Sequence, residues 1–289
     1  MGNCLVTKLN GVVNNGALEK LGVLKITVTQ QTLPNVTRDK DTRLIKFNIS
    51  DRDNITIKCN GNGYVVENFD HIDEPAYQLK TITLDAGTTG KNLWFANDNY
   101  TIEINNKYAI SSMFTPGNYS YRVLFHYDDS LKSCVDLQSF TLNGDNPDFI
   151  SSIFPVTIEN VCLKYGQFNT SISYFTKYTS LKTLDLGYTN ISGVIDDISE
   201  LIQLTTFNLF GLKCTITGSL ESLIEKMIGN GRSSGTLTLN QNNNGLLTLH
   251  DVSFGNSTMV ITFSGTGATI TKDGVSAATY DGSDWTYSE

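Results

Sequence analysis

The chain has 289 residues, only 17% of them charged, with a formal net charge of -8. That acidic balance offers no basic excess to displace counterions from a nucleic-acid backbone, so no nucleic-acid partner is expected. The length suits two domains or a few small modules, and no apolar run approaches the roughly 20 residues that a membrane-spanning helix needs, so no membrane partner is expected.

In chain order, the opening MGNCLVTKLNGVV has no uninterrupted apolar core of the kind a signal peptide carries, because Lys8 and Asn10 break it. The expectation is synthesis and folding in a cytosol. Cys4, Cys59, Cys134, Cys162 and Cys214 are odd in number, widely spaced and without a C-x-x-C pair, which predicts free thiols rather than disulfides. From Leu24 to Val28 apolar and polar residues alternate, as they do in a half-buried strand. Further short strands are predicted at Phe47–Ile49, Ile55–Ile57, Tyr64–Val66, Ile82–Leu84, Leu93–Phe95 and Tyr100–Ile104. Turn residues fall between them every 8 to 12 positions, the pattern of a small antiparallel sandwich, immunoglobulin-like or jelly-roll. The cluster Thr115 to Asn118 marks a boundary, and the strand Tyr119–Phe125 is expected to cap the repeats beyond it.

A 23-residue period then takes over. Leu181, Leu184, Leu186, Ile191, Ile195, Ile198 and Leu201 map 23 positions back onto Ile158, Val161, Leu163, Phe168, Ile172, Phe175 and Tyr178, and the first three map forward onto Leu204, Phe207 and Leu209. Every one of these positions is apolar. An L-x-x-L-x-L kernel at a fixed period of 20 to 29 residues is the mark of a leucine-rich repeat, whose units must stack to bury their apolar face. Leu137, Phe140 and Leu142 supply a degenerate first kernel at a spacing of 21. About four units are expected, near 137–157, 158–180, 181–203 and 204–228. The three-residue steps of Ile195, Ile198, Leu201 and Leu204 predict a 3₁₀-like return segment. Ser219, the apolar Leu220, Leu223 and Met227, and Gly229 carry helix start, face and stop signals. Leu237 and Leu239 supply one more kernel strand, and the short strands after it form a β-rich cap over the open edge. The architecture predicted is mainly β: a sandwich over 1–115, a leucine-rich-repeat solenoid over 116–240 and a β-rich C-terminal cap over 241–289.

Few residues carry reactive chemistry. His71, His126 and His250 have no second ligand at metal spacing. Gly87 to Lys91 lacks the first glycine and the Ser or Thr of a phosphate loop, and Asp51 to Asn54 lacks the glycine and glutamate of a calcium loop. No catalytic residue, metal site or cofactor is predicted, and an enzyme is not expected. Binding is the better reading. The 23-residue step aligns Tyr165 with Tyr188 and Gly211, Lys164 with Gly187 and Phe210, and Cys162 with Asp185 and Asn208. Tyr165, Tyr188 and Phe210, flanked by Lys164, Asp185 and Asn208, are the candidate contact residues on the concave sheet. The alternative is that the rings cover one another or pack against the first domain. Thr189 and Cys214 occupy the turn position where a short side chain is expected to bond the neighbouring backbone, so Cys214 reads as structural.

The phrase LKTLDLGYTNISGVIDDISELIQLTTFNLFGLKCTITGSLESL resembles the leucine-rich repeats of surface proteins of gut Bacteroidales. It is also similar to virion proteins of the bacteriophages that infect them, including crAss-like phages. GNGRSSGTLTLNQ, AATYDGSDWTY and CLVTKLNGVVNNGALEKLGVLKI resemble the caps and start of such phage proteins. The resemblance implies a virion component, made in the host cytoplasm without a signal peptide, that decorates the capsid or forms part of a head fibre. Its implied partners are other virion proteins in a large assembly or homo-oligomer, with a host surface protein or glycan as a further possibility. A bacterial adhesin or glycan-binding repeat protein is the alternative.

Overall fold

The structure is a computed structural model that describes residues 22–30, 43–96, 99–115, 123–127, 129–143, 154–166, 168, 170–211, 214–242, 247–253 and 255–288. Among the described residues nine strands build the N-terminal part: β1 (Leu24–Gln30), β2 (Leu44–Ile49), β3 (Ile55–Cys59), β4 (Val65–Val66), β5 (Thr81–Leu84), β6 (Lys91–Phe95), β7 (Tyr100–Asn105), β8 (Ile110–Thr115) and β9 (Val123–Tyr127). Odd-numbered strands form one antiparallel sheet in the order β5-β3-β7-β1-β9, and even-numbered strands the facing one in the order β4-β6-β2-β8. Each strand crosses to the opposite sheet from its predecessor, and no two consecutive strands of the nine are paired. That is the winding of a jelly roll, not the hairpin pairing of an immunoglobulin domain. The strict alternation that predicted the strands also fills the interior: Ile26, Ile57 and Ile102 from one sheet and Phe47, Leu93 and Met113 from the other are wholly buried.

Two elements correct the sequence-based expectation. The Val123–Tyr127 strand does not cap the repeats; β9 pairs antiparallel with β1, whose edge would otherwise stand open. Its last residue, Tyr127, is buried, with its hydroxyl 2.9 Å from the Thr115 hydroxyl and its ring edge-on to Phe140 at 5.3 Å. The second element, β8, was not foreseen. It runs antiparallel to β2 and parallel to the first repeat strand, so it belongs to the sandwich and to the solenoid at once. Pro116 to Arg122 lie outside the described residues.

The solenoid strands are β10 (Ser139–Asn143), β11 (Asn160–Lys164), β12 (Thr183–Asp185), β14 (Thr206–Leu209) and β16 (Ser234–Gln241), all parallel. Their register places Leu142 beside Leu163, Val161 beside Leu184, Leu184 beside Phe207, and Phe207 beside Leu239, so the chain advances by 21, 23, 23 and then 32 residues per coil. Leu184, Leu186, Phe207 and Leu209 are wholly buried, each contributing about 1.5–3 kcal/mol relative to exposure. The return segments are 3₁₀ turns at Ile172–Phe175 and Ile195–Ile198, as the three-residue steps predict. The long last step holds one helix, α1 (Leu220–Gly229), whose Ser219 hydroxyl caps it by accepting from the Ser222 amide at 3.2 Å. In β16 the second inward position holds Gln241 rather than a leucine. It is buried, and its amide donates to the Gly255 carbonyl and to the Ser257 hydroxyl.

Behind the solenoid lies a second sheet. Its strands β13 (Ser192–Val194), β15 (Thr215–Ser219) and β17 (Leu247–Leu249) are parallel, and β18 (Val252–Ser253) folds back on β17. The cap strands β19 (Ser257–Ser264), β20 (Gly267–Lys272), β21 (Val275–Tyr280) and β22 (Trp285–Tyr287) extend the main sheet antiparallel from β16. Among the described residues the main sheet therefore has 13 strands, ordered β22-β21-β20-β19-β16-β14-β12-β11-β10-β8-β2-β6-β4. It passes without a break through both positions where module boundaries were expected.

Polar contacts brace the two joins. Near β8, Arg52 donates two hydrogen bonds of 2.7 Å to Asp136, and the Ser50 hydroxyl donates a third at 2.7 Å. The guanidinium holds the Asp136 carboxyl below its ordinary range. At the other join the buried Arg232 donates to the Leu204 carbonyl at 2.7 Å and the Thr236 carbonyl at 2.8 Å, and lies over the Phe263 ring. Burial lowers its pKa to about 10.

Candidate functional site

The three rings singled out in the sequence come together. Tyr165 stacks on Tyr188 with centroids 4.9 Å apart, and Tyr188 meets Phe210 edge-to-face at 5.5 Å. They do not stand on the sheet itself. Since β11 ends at Lys164, β12 at Asp185 and β14 at Leu209, the rings occupy the turns just beyond, along the rim where the strands finish. The reason is that the kernel strands are too short to carry those positions.

The rim has a repeating hydrogen-bond pattern. The Asp185 carboxylate accepts from the Gly187 amide at 3.1 Å, and 23 residues on the Asn208 side-chain carbonyl accepts from the Phe210 amide at 2.9 Å. Both are Asx turns that bend the chain off the sheet. Between coils, the Tyr165 amide donates to Gly187 and the Tyr188 amide to Phe210. Asp185 also pairs with Lys164 at 2.7 Å. Burial pulls the Lys164 ammonium down, but the carboxylate outweighs it and the net shift is upward. Lys164, Asp185 and Asn208 are thus occupied in holding the turns. Gly187 is covered: an added Cβ would sit 3.2 Å from the Asp185 carboxylate.

The aligned positions 165, 188 and 211 share a left-handed backbone, with φ of 62°, 60° and 132°. At Gly211 an added Cβ would lie 2.8 Å from the Tyr188 backbone, so glycine is required there. The two tyrosines are different. A bulky L-residue at positive φ costs about 1–2 kcal/mol, and Tyr188 nevertheless stays 39% exposed. Burial therefore does not explain its presence, and strain of this kind concentrates at functional positions. The sequence aligned these residues but carries no signal for their dihedrals.

The remaining candidates resolve into structure. Thr189 is buried, and its hydroxyl donates to the Leu186 carbonyl of its own coil at 2.7 Å, not to a neighbour's backbone. Burial pushes the thiols of Cys59 and Cys162 up to about 12 and that of Cys214 up to about 11. Cys59, Cys134, Cys162 and Cys214 are all unpaired with one another. At pH 8 the native chain is therefore expected to leave these four cysteines unlabelled by iodoacetamide and to label them fully in denaturant. Peptide mass analysis reads this out, and native labelling of Cys214 would contradict a buried structural thiol. Gly87 to Lys91 is a turn with positive φ at Gly87 and Gly90. His71 stacks against Tyr77 at 4.0 Å, and the His126 side chain lies outside the described residues. Among the described residues no group of three or more His, Cys, Asp or Glu is placed to hold a metal. Among them, too, no helix is long and apolar enough to cross a membrane.

No family model and no curated protein matches the chain. Among solved structures, the leucine-rich-repeat ectodomain of the receptor kinase SOBIR1 from Arabidopsis thaliana is similar at 16% identity and a TM-score of 0.35, covering 49% of this chain and 74% of that one. A likeness that distant carries no functional argument. The leucine-rich-repeat character rests on the coils described above.

Proposed function

We propose that the chain is a non-catalytic interaction protein whose contact surface is the rim ladder of Tyr165, Tyr188 and Phe210. The observation that carries this reading is the pair of tyrosines held in left-handed turns while half-exposed, where the aligned position of the next coil has glycine. A ring ladder on a rigid rim presents large contact area at low entropic cost, which is the composition of interface anchors. Tyr165 covers one face of Tyr188, which favours a protein partner over a stacked sugar. Within that reading we place the protein in a bacteriophage particle, decorating the capsid or forming part of a head fibre, with the solenoid facing outward. This finer assignment is supported by the resemblance of the repeat phrase and by a continuous sheet that offers a separate module at each end.

Mass analysis of purified particles tests the location: the chain should be present at structural copy number, and its absence would rule the virion out. The double variant Tyr165→Gly, Tyr188→Gly tests the ladder. Its stability should stay within about 1 kcal/mol of the parent, because relief of backbone strain offsets the lost ring contact. Its capture of particle proteins should fall by about tenfold or more. A stability loss of about 3 kcal/mol with capture intact would assign the rings to packing alone. The alternative, a cell-surface adhesin or glycan-binding protein, is favoured by the neutral hydrogen-bonding row Asn160, Thr183, Thr206, Thr238 on the outward face of the sheet. Cell fractionation separates it from the virion reading.

A further inference from the structure

A second candidate surface lies at the far end of the solenoid, away from the ladder. There the β17–β18 hairpin of the rear sheet meets the last strands of the main sheet, and between them runs an open groove of about 330 Å³. Leu249, Val252, Val275 and Ala277 form its apolar lining, with His250 and Tyr287 as its aromatic wall. Val252 and Val275 are 65% and 70% exposed, an unusual position for β-branched residues at the end of a stacked core. The wall continues as a pile of rings: His250 on Tyr287 at 3.9 Å, Tyr287 beside Trp285 at 6.2 Å, and Trp285 on Tyr280 at 5.0 Å.

The charge around this wall has one sign. The Tyr287 hydroxyl donates to Glu221 at 3.2 Å and the Trp285 indole donates to Glu225 at 2.7 Å, and Asp251 stands in the hairpin turn between the lining residues His250 and Val252. These hydrogen bonds use neutral donors, and Glu225 and Asp251 have no ion-pair partner among the described residues, whereas Glu221 is held further by the Ser219 hydroxyl and the His250 amide at the N-terminus of α1. Glu225 engages only one of its oxygens in them. The one cation in the lining, Lys272, pairs in the sheet with Val275 at the β20–β21 turn, whereas Tyr287 stands opposite Ala278 further along β21. Lys272 thus sits at the other end of the groove from the acidic wall.

Aromatic faces beside uncompensated carboxylates form the chemistry that takes an ammonium or guanidinium, through ring quadrupole and charge together. The apolar floor suits the hydrocarbon stem or an alternating apolar neighbour. We propose that this groove docks an extended basic segment of a partner protein, its lysine or arginine laid against His250 and Tyr287 and facing Glu225 and Asp251. This inference is independent of the ladder.

The test uses the full chain and three capped peptides of alternating sequence, Lys-Val, Ser-Val and Glu-Val, with binding read by calorimetry and by tryptophan fluorescence. The Lys-Val peptide should bind saturably, weaken with added salt and perturb Trp285 emission. The double variant Glu225→Gln, Asp251→Asn keeps hydrogen-bond acceptors, and it should weaken binding by about tenfold, as should Val275→Ser, while Tyr165→Gly, Tyr188→Gly leaves binding unchanged. Equal binding of the Ser-Val or Glu-Val peptide, or undiminished binding by the double variant, would overturn the proposal. So would the absence of saturable binding, or self-association of the chain that Val275→Ser abolishes, which would give the groove to a second copy.

Discussion

Leu184→Ala is expected to lower the stability of the fold by about 3 kcal/mol, within the range for large-to-small changes at fully buried leucines. Leu184 is wholly buried and sits in register with Val161 on one side and Phe207 on the other. The hole it leaves is therefore lined by three successive coils, none of which can collapse into it without moving its strand. Thermal unfolding should fall by about 5 °C for a chain of this size. Because the neighbours share one interior, Leu184→Ala combined with Phe207→Ala should be non-additive by about 0.5–3 kcal/mol. Thr183→Ala, one residue away on the outward face, should change stability by no more than about 0.5 kcal/mol. Strict additivity of the two core substitutions would mean that the coils do not share a core.

Arg232→Ala should be comparably damaging, at about 3 kcal/mol, though the residue is charged and its hydrogen bonds run to the carbonyls of Leu204 and Thr236 rather than to a carboxylate. The reason is where those bonds lead. One reaches the last full coil, the other the start of β16, and the guanidinium plane rests on Phe263 of β19. Removing the side chain leaves the buried Leu204 carbonyl and the part-buried Thr236 carbonyl without their charged donor, a charge-assisted bond being worth about 1.5–3 kcal/mol when buried, and uncovers the ring. Arg232→Met separates the two contributions: it should recover the packing over Phe263 but not the hydrogen bonds, and so fall between parent and alanine. Loss is expected first in the cap strands, visible as raised amide exchange in β19 and β20 before the sandwich responds. If Arg232→Met matched the parent, the arginine would be a filler of space and no brace.

The contrast between these two residues explains which features could be read in advance. Leu184 belongs to a period, and a period is a property of the one-dimensional chain: each coil must return to the same place, so the apolar positions must recur. The 21- and 23-residue offsets, the 3₁₀ returns and the Ser219-capped helix follow from local pattern and were legible. Arg232 belongs to no pattern. Its role depends on a carbonyl 28 residues away, and nothing in the neighbouring residues announces that contact. β8 escaped for a related reason. Its burial runs inward, half, half, inward, half, inward, with Ser111 and Ser112 adjacent, so it lacks the alternation of a strand and takes its conformation from β2 and β10.

The candidate site divides the same way. Alignment by 23 residues was enough to group Tyr165 with Tyr188 and to set Phe210 beside them, because stacked coils superpose equivalent positions. It placed them on the sheet, whereas the short kernel strands leave them in the turns. The left-handed dihedrals at 165 and 188 go with coil-to-coil hydrogen bonds from both tyrosine amides, joined at 188 by the Asp185 turn, and these bonds form only once neighbouring coils are in register.

Composition and periodicity were sufficient for the mainly β build, for the repeat and its register, and for the sandwich strands other than β8, since each of these answers a local demand to bury alternate or periodic apolar residues. Long-range pairing settled everything else: the jelly-roll winding, the return of β9 to β1, the fusion of sandwich, solenoid and cap into one sheet, and the groove behind the last strands. Those features arise where edges find partners far along the chain, and the free energy that selects among partners lies in contacts no single segment contains.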